Sequence, residues 1–161
     1  MRRLKKYAYG TASLVWMFRI YGFSAETGSV SGGKSMNIAS VIEKIFASLT
    51  GGSFSYDKEA VIFEISHIIR KSAHVVAFLI LAMLLFLLIE SILGKKKLFS
   101  PVFFTVLCAA SDEFHQSFVP GRGPSINDVG IDSAGALIGV MLAFLILTHL
   151  RKKSGKTELS I

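Results

Sequence analysis

The sequence predicts an all-α, polytopic membrane protein: a bundle of four transmembrane helices with an extracytoplasmic helical segment between the first and second. Three observations predict it. The 161 residues are 52% hydrophobic with a mean hydropathy of +0.55, above the roughly 45–50% apolar content of soluble domains. The apolar residues are gathered in blocks. The Lys and Arg residues fall in clusters between those blocks. The length fits one domain covering residues 1–161.

Two blocks meet the span length of about 20 mostly apolar residues set by a hydrocarbon core about 30 Å thick. Residues 73–93 carry only His74 and Glu90 as ionisable groups, and Val75–Ile89 is wholly apolar. Residues 129–150 carry Asp132 near the start and His149 at the end, with an apolar run Ala134–Leu147 between them. Two other blocks are less apolar. Residues 7–23 contain Arg19, and residues 98–119 hold Asp112, Glu113 and His115.

Charge decides for the weaker pair. Arg2, Arg3, Lys5 and Lys6 precede the first block, Lys95, Lys96 and Lys97 separate the second and third, and Arg151, Lys152, Lys153 and Lys156 follow the fourth. Four spans put all three clusters on one side, and removing a weak span moves at least one cluster across. By the positive-inside rule both termini are cytoplasmic. The same clusters account for the net charge of +7 and the pI near 9.7 without nucleic acid as a partner, because no aromatics interleave with them. A cleaved signal peptide is disfavoured by Arg19 and by bulky Phe23 in the best cleavage region. Cys108, the only cysteine, is expected to be a small apolar helix residue.

The outer segment, residues 36–71, is amphipathic. Gly28 to Gly33 reads as loop. Ile38, Val41, Ile42, Ile45, Phe46 and Leu49 then recur at helical spacing. Ser35 or Asn37 is a candidate cap, and Gly51-Gly52 a candidate end. This helix is expected either to lie in the membrane interface or to cover the bundle as a lid. A second helical stretch starts near Asp57 and meets no breaker before Ala73. The outer connection 120–127 holds two prolines and two glycines, which favour a tight turn.

Depth and direction bring the polar residues of the spans together. At about 1.5 Å and 100° per residue, Asp112, Glu113, His115 and Gln116 fall in the outer part of the third span. Asp128 and Asp132 start the fourth, Arg70, Lys71 and His74 start the second, and Arg19 lies in the outer part of the first. His67, Lys71 and His74 share a face, as do Asp128 and Asp132, continued by Gly135 and Gly139, a spacing that lets a neighbouring helix approach. A charge facing mid-bilayer lipid costs about 2.5–3.5 kcal/mol, so these groups are expected to face inward, paired or around a wet pocket. Glu90 and His149 read as interfacial residues at the inner side, and His67 as a solvated helix-start residue.

Asp112, Glu113 and His115 are the candidate acid–base residues. Lys71, His74, Gln116, Arg122, Asp128 and Asp132 are the candidate ligand-binding residues, with Arg122, Arg70 and Lys71 suited to a phosphate or carboxylate, the arginines by bidentate contact. An oxygen-rich set of Asp112, His115, Asp128 and Asp132 would suit Mg²⁺ or Ca²⁺, but its spacing matches no established metal loop, and the cofactor stays open. A Ser111–His115–Asp set lacks the context of a nucleophile elbow.

The run Ser111-Asp-Glu-Phe-His-Gln-Ser-Phe-Val-Pro-Gly-Arg122 resembles the signature of the VanZ family, as do Asp128 and Ile131–Gly139. Arg70-Lys71-Ser72-Ala73-His74 resembles its second-helix motif, and Phe23-Ser24-Ala25 with Gly28 and Ser31 its segment after the first helix. The resemblance implies a bacterial cytoplasmic-membrane protein of the cell envelope, linked to low-level teicoplanin resistance, with no established reaction. One departure stands out: the family often has a glutamate three residues after the second-helix histidine, where this chain has Ala77.

The expected function is an outward-facing polar pocket that binds or modifies an anionic lipid-linked or amphiphilic ligand, such as a lipid-linked cell-wall precursor or a lipoglycopeptide. The alternative is a non-enzymatic membrane partner whose polar network is structural. A proton-coupled transporter ranks last, because the inner halves of the second and fourth spans lack polar residues before Glu90 and Thr148.

Overall fold

The computed structural model describes residues 2–51 and 57–158. Five helices account for nearly all of them: α1 (Arg2–Ser24), α2 (Gly28–Leu49), α3 (Lys58–Leu93), α4 (Phe99–Gln116) and α5 (Ile126–Glu158). Among the described residues there is no strand.

Helix α3 is the axis of the molecule and packs on each of the other four. It starts at Asp57, whose carboxylate accepts from the amides of Glu59 and Ala60. It stops at Gly94, which adopts the left-handed conformation (φ 67°) and donates its amide to Glu90 O. Its 36 residues span about 54 Å, so the expected continuity of the outer stretch with the second apolar block is realised as one rod. Two helices, Lys58–Leu93 and Ile126–Lys153, are long and apolar enough to cross a membrane.

The α3–α5 contact rests on glycine. A Cβ on Gly135 would lie 2.7 Å from Val75 O, and one on Gly139 would lie 2.3 Å from Leu79 O. The backbones therefore meet where the Gly-x-x-x-Gly stripe predicts. Beyond it Ala82, Phe86, Ala136, Val140 and Ala143 close a buried core between the same helices. A second core joins α1, α3 and α4 through Ile20, Phe78, Leu81 and Ala109. The Trp16 indole donates to Ala77 O at 2.8 Å and ties α1 to α3.

Several boundaries differ from the sequence reading. Gly28–Gly33 is helix, because Thr27 caps α2 in place of Ser35 or Asn37: its hydroxyl accepts from the Val30 amide. Helix α2 ends at Thr50 and Gly51 (φ 63°). Gly52, the other half of the expected stop, lies outside the described residues, as does part of the 36–71 segment. Helix α4 ends at Gln116, since Phe118 and Val119 already turn back to His115 O and Gln116 O. Helix α5 starts at Ile126 and continues past residue 150 into the basic tail.

Helix α2 packs along α3. It buries Ser35, Ala39 and Glu43, while Ile38, Val41, Ile42, Ile45, Phe46 and Leu49 are exposed. The small side chains fit close to α3, and the apolar stripe faces away.

The basic clusters share one end of the bundle. There Arg151 pairs with Glu90, and Lys96 donates to Thr148 Oγ1 at 2.6 Å while lying over the Phe144 ring. The opposite end carries the polar residues of the candidate site.

Candidate functional site

The interior of α3, the end of α4, the start of α5 and a loop build the site. Helix α3 contributes Arg70, Lys71 and His74, α4 contributes Asp112, Glu113 and Gln116, and α5 contributes Asp128 and Asp132. The 117–125 loop contributes Arg122. Asp112, Glu113 and Asp132 are buried, at 7%, 7% and 3% exposure.

At the base, Asp112 Oδ2 accepts from Ser24 Oγ at 2.7 Å and from Gln116 Nε2 at 2.8 Å. His74 Nδ1 lies 3.9 Å from the same oxygen. Three residues, one each from α1, α3 and α4, thus converge on one carboxylate. The family's frequent glutamate position, Ala77, instead packs beside Ile20 and Phe78. It is Asp112 of α4, rather than Glu113, that brings a carboxylate to His74.

Arg122 is the clasp of the loop. It donates to Phe23 O (3.1 Å) and Glu26 O (3.2 Å) at the end of α1, and to Gln116 Oε1 (3.3 Å). Gly28 helps to seat the same loop: its amide donates to Pro120 O at 3.0 Å, and a Cβ there would lie 2.0 Å from Gly121 O. Burial, and then the neighbouring Arg70, lower the Arg122 pKa from its ordinary value. Glu113 accepts the Ser125 amide at 2.9 Å and fixes the far side of the loop. Lys71 pairs with Asp128 at 2.7 Å and links α3 to α5.

A cavity of about 70 Å³ opens among these groups, lined by Arg70, Lys71, His74, Glu113, Gln116, Arg122, Asp128 and Asp132. Seven of the nine candidate residues are therefore gathered around it. Asp112 sits behind the wall, bonded to Gln116. A second cavity, apolar and about 270 Å³, lies between α1, α3 and α4 and reaches Asp112 from the other side.

His115 does not join the site. Its ring stacks on Tyr21, with centroids 4.3 Å apart and planes at 29°, and its Nε2 is buried without a hydrogen-bond partner among the described residues. At about 100° per residue it points roughly 200° away from Glu113. The Ser111–His115 nucleophilic set has no hydrogen bond among the described residues. Nor is any group of three or more His, Cys, Asp or Glu among the described residues arranged to hold a metal ion. Arg19 is exposed on α1 and enters no ion pair among the described residues.

Arg70 gains importance. Among the described residues its only hydrogen bond is to His67 Nδ1 at 3.2 Å, so His67 positions the guanidinium at the cavity. Asp132 lines the cavity with no hydrogen bond or ion pair among the described residues. The burial of Asp132 follows from its i+4 spacing with Asp128 on the α5 face that meets α3.

No match is found among curated proteins or solved structures. The family model VanZ/LLP1 matches residues 10–147. That range covers most of the chain, every residue of the site included, so the chain belongs to the VanZ/LLP1 family.

Proposed function

We propose that this is a four-span cell-envelope membrane protein whose polar cavity faces outward and binds the head group of an anionic, membrane-borne amphiphile. Helices α1, α3, α4 and α5 are the spans, and α2 with the start of α3 lies outside. The observation that carries the reading is the cavity itself: cations and carboxylates from three helices, around a space at the end opposite the basic clusters.

Two further features support it. With the basic end cytoplasmic, the cavity opens on the outer leaflet. The outer faces of α1 and α4 are apolar despite their interior polar groups: Leu14, Val15 and Phe18 on one, Phe103, Phe104 and Leu107 on the other, are exposed. Soluble monomers rarely expose contiguous apolar areas of that extent.

The network divides by task. Asp112, Gln116 and Arg122 have their polar atoms engaged with the protein and hold the walls. Arg70, His74, Glu113 and Asp132 offer groups to the cavity. Arg70 is the anion anchor, because a guanidinium makes bidentate contacts to phosphate or carboxylate. His74 and Glu113 are placed for acid–base work on the bound head group. A role linked to glycopeptide resistance follows from the family and from binding an envelope lipid or a lipid-tailed glycopeptide.

Retention of phosphatidate against diacylglycerol of the same chains, read by native mass spectrometry, tests this. The wild-type protein is expected to retain phosphatidate at least fivefold better, and Arg70→Ala to lose the preference while remaining folded. Equal retention by the wild type would refute an anion-binding cavity.

A further inference from the structure

The charges left over in the cavity ask for more than an anion. Three cations (Arg70, Lys71, Arg122) and three carboxylates (Glu113, Asp128, Asp132) line it. Asp112 adds a fourth carboxylate immediately behind Gln116. Lys71 is paired with Asp128, and Arg122 is held by Phe23, Glu26 and Gln116. Among the described residues one lining cation, Arg70, is therefore available, its sole bond there going to His67.

The available acidic groups outnumber it. Asp132, 3% exposed, has no partner among the described residues, and Glu113 accepts only the Ser125 amide. A buried carboxylate without a partner is costly unless something satisfies it. A bare phosphate on Arg70 would add negative charge beside these two groups, a like-charge contact that disfavours binding.

We infer that the bound head group is zwitterionic: a phosphate that meets Arg70, and an amine that meets Asp132 with Glu113. This rests on the phosphate-on-Arg70 part of the reading above and changes the rest of it: an amine on the same head group brings the ligand's net charge to zero. The cation supplies to Asp132 what the protein withholds, and the ligand enters with no net charge. An ammonium donates three hydrogen bonds, enough for both carboxylates. The chemistry is that of phosphoethanolamine, lipid-borne or free.

The test compares dioleoyl-phosphatidylethanolamine, dioleoyl-phosphatidate and dioleoylglycerol on the full-length protein by native mass spectrometry, with unfolding temperature measured for each variant. The wild type is expected to retain phosphatidylethanolamine at least fivefold better than phosphatidate, and Asp132→Asn, which keeps the shape, to erase that difference. Phosphatidate retained as well as or better than phosphatidylethanolamine overturns the zwitterion while leaving the anion site in place. Equal retention of all three overturns both. An Asp132→Asn protein that folds and keeps the preference overturns the role of Asp132, and the wild-type comparison stands even if that variant does not fold. Soluble phosphoethanolamine as competitor separates the two sources: displacement locates recognition in the head alone, and resistance locates part of it in the acyl chains.

Discussion

His115 stacks on Tyr21 with ring centroids 4.3 Å apart, which turns its imidazole away from the carboxylates that neighbour it in sequence. The consequence is testable. His115→Phe keeps an aromatic ring against Tyr21 and removes a buried Nε2 that has no partner. It is expected to leave phosphatidate retention within twofold of wild type and stability unchanged or slightly raised. His74→Phe, at the cavity wall, is expected to reduce retention at least fivefold. The same mass-spectrometric retention reads both.

The α3–α5 contact has no room for side chains at its glycines. Gly139→Ala would drive a methyl group against Leu79 O, 2.3 Å away. Backbone cannot yield as a flexible side chain does, so the overpacking cost is expected at about 1–3 kcal/mol. That corresponds to a fall of about 5 °C in detergent thermal unfolding. Gly130→Ala, where a Cβ would meet nothing within 4 Å, is the control and is expected to be neutral or better.

Arg122 holds the 117–125 loop to the end of α1 across 96 and 99 residues of sequence. Arg122→Ala removes three charge-assisted bonds and takes from Glu26 O and Gln116 Oε1 the guanidinium donor they have here. A loss of about 2–4 kcal/mol is expected, given about 1.5–3 kcal/mol for a hydrogen bond to a charged group and incomplete additivity. Limited proteolysis should show new cleavage within the loop. Lysine restores the charge but not the fork, so Arg122→Lys is expected to recover less than half of the loss.

Asp112 links α1 to α4 through Ser24. Asp112→Ala leaves Ser24, Gln116 and His74 facing one another without their shared acceptor. It is expected to cost about 3 kcal/mol, as breaking a buried charged network does. Ser24→Ala removes one donor and is expected to cost about 1 kcal/mol. Equal losses would mean that Asp112 acts through Ser24 alone.

Much of this was legible in the sequence, for physical reasons that can be named. The long apolar runs of α3 and α5 and the Gly135–Gly139 stripe follow from length and period, which local sequence carries. So does the gathering of Lys71, His74, Asp128 and Asp132, since depth and face together nearly fix position. Other features depend on tertiary contact. Thr27 caps α2 where the Gly/Ser content of residues 28–33 suggests a loop, because the start of α2 is docked on Pro120 and Gly121. Arg122 read as an anion holder, since nothing local shows that Phe23 and Glu26 lie beside it. His115 lies at the same depth as Asp112, but at about 100° per residue its direction from Glu113 already points elsewhere. The prominence of Arg70 is not local either: the pairing of Lys71 and the engagement of Arg122, which leave it the available cation among the described residues, arise only in three dimensions.

The central claim is that the cavity lies at the extracytoplasmic end of a four-span bundle. Labelling of single cysteines by a membrane-impermeant maleimide in intact cells tests it most directly, with Cys108→Ala as background, Gly123→Cys at the cavity rim and Lys96→Cys at the basic end. Gly123→Cys labelled in intact cells, with Lys96→Cys labelled only after permeabilisation, is the predicted result. The reverse pattern would contradict the account.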